Sequence, residues 1–77
     1  MSEDFDPTPF QDKSQRLFIR DMLKAGYALR TYSGRSMYGK ECPAVYCERD
    51  RFTDIVRATK APIRHDTLGK GYIVYVV

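Results

Sequence analysis

Gly34, Gly39 and Lys40 stand at the spacing G-x-x-x-x-G-K, in which backbone amides cradle phosphate and a lysine reaches across it. The residue that should bind magnesium in that motif is Ser or Thr, and here it is Glu41. A carboxylate there would face the phosphates. The motif also requires a helix opening on the lysine, whereas Cys42-Pro43 follows, and proline holds the residue before it in extended geometry. What is left is a glycine-flanked loop in which Arg35 and Lys40 can pair with phosphate or carboxylate, while Tyr32 and Tyr38 can stack on a base or fill a partner's pocket. The plainer alternative is a hairpin turn with Met37 and Tyr38 folded onto the core.

His65-Asp66 invites an acid–base reading, and Cys42 and Cys47 offer thiols. Neighbours in sequence do not make a catalytic pair, and the glycine-containing stretch Asp66-Thr67-Leu68-Gly69-Lys70-Gly71 reads more simply as a turn, with Asp66 bonded to local backbone. The C-x4-C spacing with a lone His65 is a poor zinc set, since closed sites take four ligands, commonly in close pairs. Neither a metal nor a cofactor is expected. On one strand, residues five apart point to opposite faces, so both cysteines are expected to be reduced.

Seventy-seven residues provide one small core and no room for a separate cofactor domain. The net charge of +3 is unevenly spread, because four of the ten acids (Glu3, Asp4, Asp6, Asp12) and none of the bases precede Lys13. From Lys13 onward thirteen bases face six acids, leaving +7. Such a body attracts polyanions. No apolar run reaches membrane-span length and the N-terminus lacks the pattern of a signal peptide, so a cytoplasmic protein that does not enter the membrane is expected.

Residues 1–12 read as a flexible acidic arm, with Phe5 and Phe10 available to dock on the core, and residues 13–77 as a single domain. Ser14 offers a cap for a helix over 14–25, with Leu17, Phe18, Ile19, Met22 and Leu23 at helical spacing and Gly26 as its stop. Arg16, Arg20 and Lys24 line its other face. Alternation predicts a strand from Tyr27 to Ser33 and a second from Pro43 to Glu48. Asp50 can cap a helix over 51–60 whose stripe is Phe52, Ile55, Val56 and Thr59. Residues 62–71 read as a polar connection to an apolar final strand, 72–77, placed centrally in its sheet. The expected fold is α+β: a small three-stranded sheet packed against two helices in the order helix, strand, strand, helix, strand.

Ser33-Gly34-Arg35-Ser36-Met37-Tyr38-Gly39 followed by Cys42 and Ala44-Val45, with Gly69-Lys70-Gly71 before Ile73-Val74-Tyr75, resembles a pattern of small uncharacterised bacteriophage and prophage proteins. The likeness covers roughly residues 27–77. Ser36 departs from it, since that position is usually glycine. The resemblance implies a phage-type protein that acts by binding and carries no known active site. Charge and loop together make the leading expectation a non-enzymatic module that presents Ser33, Arg35, Tyr38 and Lys40, with Arg64 and Lys70 from the second loop, to an anionic partner: nucleic acid, a nucleotide or the acidic face of a host protein. The alternative is an inhibitor of a host defence complex, anti-CRISPR-like, acting by protein–protein contact.

Overall fold

The computed structural model describes residues 5–34 and 39–77. Helix α1 (Lys13–Lys24) is followed by strands β1 (Arg30–Tyr32) and β2 (Cys42–Glu48), helix α2 (Phe52–Ala58), and strands β3 (Arg64–Leu68) and β4 (Gly71–Tyr75). The four strands form one antiparallel sheet in the order β1-β2-β4-β3. The fold class is α+β, with four strands where three were expected.

The added strand is β3, in the stretch read as a connection. Its residues are mostly exposed and polar, so it carries no apolar alternation. It is an edge strand, held to β4 by the register Arg64↔Tyr75 to Leu68↔Gly71. Gly69 and Lys70 make the two-residue turn, and Gly69 takes φ 62°. Positive φ at the first central position of a two-residue loop is the geometry whose twist matches paired strands, and glycine supplies it without strain. The final strand lies between β2 and β3, central as expected.

Helix α1 begins one residue before the expected cap. Asp12 holds extended backbone (φ −65°, ψ 144°), and its carbonyl accepts the Arg16 amide at 3.0 Å, which leaves Ser14 inside the helix. The stop is the expected one. Gly26 has φ 86°, its amide bonds to the Leu23 carbonyl at 3.1 Å, and the Tyr27 amide bonds to Met22 at 2.9 Å, which satisfies two carbonyls that the last turn leaves without helical partners.

Both helices pack on one face of the sheet. Phe18, Ile19 and Met22 of α1 and Ile55 of α2 are buried against Val45 and Cys47 of β2 and Val74 of β4. Phe10 joins this core at 2% exposure, and Phe5 stacks on it with ring centroids 5.7 Å apart. Two positions of the expected apolar stripes turn outward: Leu23 is 52% exposed and Val56 is 45% exposed. Helix α2 is shorter than expected and is preceded by a 3-10 turn, Arg49–Arg51.

Asp21 holds the helix layer together. Its Oδ2 accepts the Thr59 hydroxyl at 2.9 Å and the Lys60 amide at 3.4 Å, while Thr59 Oγ1 accepts the Ala61 amide at 3.1 Å. This ties α1 to the chain leaving α2. Burial pushes the Asp21 carboxyl up, but the bonds from Thr59 and Lys60 with the charge of Arg20 outweigh it and leave the group below its ordinary range.

Candidate functional site

Cross-strand partners in an antiparallel ladder point to the same face. The side away from the helices therefore carries Arg30 and Tyr32 of β1, Cys42, Ala44, Tyr46 and Glu48 of β2, Gly71, Ile73 and Tyr75 of β4, and Arg64, Asp66 and Leu68 of β3. Among the described residues no helix lies over it. Ala44 and Ile73 are nonetheless 0% and 1% exposed. Their neighbours on this face explain it, since aromatic rings lie beside both. The Tyr32 and Tyr75 rings pack at 5.2 Å between centroids, and both hydroxyls donate to one carboxylate: Tyr32 to Asp66 Oδ2 at 2.8 Å and Tyr75 to Oδ1 at 3.4 Å. Asp66 thus joins β3 to β1 across the two central strands, in place of the local backbone bonds expected of it.

Tyr46 is the outward ring of this face, 41% exposed. A Cβ at Gly71 would stand 2.6 Å from the Tyr46 hydroxyl oxygen and 2.2 Å from the Cys47 carbonyl oxygen. Only glycine lets the two chains and the ring approach this closely.

At the end of the face where β1 and β4 finish lies a cleft of 260 Å³. Tyr32, Tyr75 and buried Cys42 form its apolar side, and Ser33, Lys40 and Arg64 bring polar and charged groups to it. Three of the six residues singled out from sequence, Ser33, Lys40 and Arg64, therefore meet in one place. Arg35 and Tyr38 lie outside the described residues. Lys70 is in the β3–β4 turn, at the opposite end of β3 from Arg64, about 13 Å along the strand. Sequence places Asp66 in a turn and Tyr75 only within the apolar final strand; the phase of alternation that sets Tyr75 with Ile73, against Val74 and Val76, is the signal that puts Tyr75 on this face.

Burial dominates the electrostatics of the cleft. Burial pushes the Cys42 thiol up, against a smaller pull from Lys40. Burial likewise raises the Tyr75 phenol, reinforced by the charge and hydrogen bond of Asp66 and opposed by Arg64. Both shifts favour the neutral form of the group. Cys42 and Cys47 are free and buried. Among the described residues no group of three His, Cys, Asp or Glu side chains could hold a metal ion, and no helix is long and apolar enough to cross a membrane. His65 packs instead with Phe52 and Tyr72, at centroid distances of 4.6 and 5.0 Å, on the helix side of the sheet. A shallower depression of 510 Å³ lies between residues 7–11 and α1, bordered by Arg16 and Arg20. Neither family models, nor curated proteins, nor solved structures give a match to this chain.

Proposed function

We propose that this protein is a non-enzymatic binding module, of the phage type that its motifs resemble, which takes an anionic partner at the cleft between the ends of β1 and β4. The observation that carries the reading is the meeting of Arg64 and Lys40 beside the Tyr32–Tyr75 pair in one 260 Å³ recess. A guanidinium gives a planar, bidentate grip on phosphate or carboxylate, and a neighbouring ammonium adds charge without fixed geometry. Arg64 forms no ion pair among the described residues, so an incoming anion has no internal carboxylate to displace from it. The surrounding body, with its balance of +7 from Lys13 onward, steers anions toward this recess.

Heparin titrations at several salt concentrations test the reading. Affinity should fall log-linearly with salt, and Arg64→Ala should lower both the affinity and the slope, by about one counterion. Arg64 is exposed on an edge strand, so the variant should keep its melting temperature. A folded Arg64→Ala protein with unchanged heparin affinity and slope refutes the assignment of the cleft.

A further inference from the structure

We infer that the open face of the sheet binds single-stranded nucleic acid, with bases stacked on Tyr46 and the Tyr32–Tyr75 pair; this rests on the anionic-partner reading above and names the partner's class. The register places Arg30, Ala44, Tyr75 and Arg64 in one row across all four strands. An arginine thus stands at each edge, about 14 Å apart by strand spacing, with a tyrosine between them. The adjacent row holds Tyr46, Ile73 and Asp66.

Tyr46 is presented for stacking. Its phenol end overlies Gly71, which has no side chain to lift it, and 41% of the residue remains exposed. A ring lying over backbone offers its outer π-face to solvent, and every base has a π-face to set against it. Exposed Leu68, 42% accessible on the same side of Gly71's row, extends the apolar floor.

The charges fit the same partner. Arg30 and Arg64 form no ion pair among the described residues, and Lys40 reaches the cleft at one end of the arginine row. Of the two acids on the face, Asp66 accepts the Tyr32 and Tyr75 hydroxyls. Glu48 lies beyond Tyr46, away from the arginine row, and repels a phosphate backbone from that end. The backbone therefore runs along the arginine row with its bases turned over the tyrosines. A duplex keeps its bases stacked internally and cannot use the rings, and an acidic protein face supplies charge without flat partners for them.

The test compares two strands of equal charge: oligothymidylate of roughly twelve nucleotides, and an abasic oligomer of the same phosphate count. Fluorescence anisotropy should show oligothymidylate binding at least about tenfold tighter. Tyr46→Ala should weaken oligothymidylate roughly 5- to 100-fold while leaving the abasic strand within about twofold, and Tyr46→Phe should match the native protein. Equal affinity for the two strands overturns the stacking inference and leaves the anionic-partner reading standing; this comparison uses the native protein and does not depend on a variant folding. Binding of neither strand, nor of heparin, overturns both. Tighter binding of polyglutamate than of oligothymidylate overturns the nucleic-acid assignment in favour of an acidic protein.

Discussion

Ile55 and Val56 are adjacent β-branched aliphatic residues of α2, and the structure gives them opposite fates. Ile55 is 0% exposed in the core with Phe18, Met22 and Val74; Val56 is 45% exposed. Replacing Ile55 by alanine removes three carbons from a fully enclosed site, about 2.4 kcal/mol at ~0.8 kcal/mol per methylene. The cavity left behind adds to this, so a total of about 2.5 to 5 kcal/mol is expected. A domain of this length holds only about 4 to 12 kcal/mol. Ile55→Ala should therefore lower the melting temperature by roughly 10 °C or more. Val56→Ala deletes mostly solvated surface and gains helix propensity, and should stay within about 0.5 kcal/mol of the parent. Urea and thermal melts followed by circular dichroism measure both. Equal costs for the two variants, or less than about 1 kcal/mol for Ile55→Ala, would show that α2 presents a different face to the sheet.

Asp21 has a folded-state pKa below its ordinary value, so its contribution is present above the unfolded carboxyl range and is lost as pH falls through the folded value. Asp21→Asn should remove part of the acid dependence of stability below about pH 4, seen as a flatter profile of urea midpoints against pH; an unchanged profile refutes the role given to the Thr59 and Lys60 bonds. At the other extreme Cys42, Cys47 and Tyr75 are all raised, chiefly by burial, so the stability they hold is complete below the ordinary thiol and phenol ranges and is lost as pH rises through the raised values. Urea midpoints should decline from about pH 9 upward, less steeply in Cys42→Ala, and a midpoint flat to about pH 11 contradicts the burial of these groups.

The α1 boundaries were legible to within a residue or two because Gly26 and the Phe18, Ile19, Met22 spacing are local signals. Val56 was misplaced because periodicity fixes a stripe's centre more sharply than its edge, and α2 has only seven residues over which to average. Strand β3 escaped because an edge strand of Arg, His, Asp, Thr and Leu need not alternate in hydropathy; the turn Gly69-Lys70 ahead of an apolar run was its available sign. The site was legible in its residue types and only partly in its assembly. That Ser33 and Lys40 share a loop follows from sequence, but that Arg64 joins them and Lys70 does not depends on which end of β3 lies beside Tyr75. The Asp66 carboxylate shared by two tyrosine hydroxyls is a contact between distant segments that no local pattern encodes.

The order β1-β2-β4-β3 has a further consequence for how the chain avoids its own kind. β2 and β4 are the buried, apolar strands; β4 is paired on both sides along Gly71–Tyr75, and β2 is paired to β4 along Ala44–Glu48 and to β1 through Cys42–Ala44. The margins are the charged β3 on one side and, on the other, the three-residue β1 with the stretch Val45–Glu48 of β2 that extends past it. Short margins and margins bearing charge are poor templates for strand addition by another molecule. That protection exists only once β2 and β4 have met. Before then each hairpin carries a bare inner edge, Ala44-Val45 on one and Ile73-Val74 on the other, of the apolar, uncharged kind that zips onto a second chain. The ladder between β2 and β4 thus covers two apolar edges of the sheet at once.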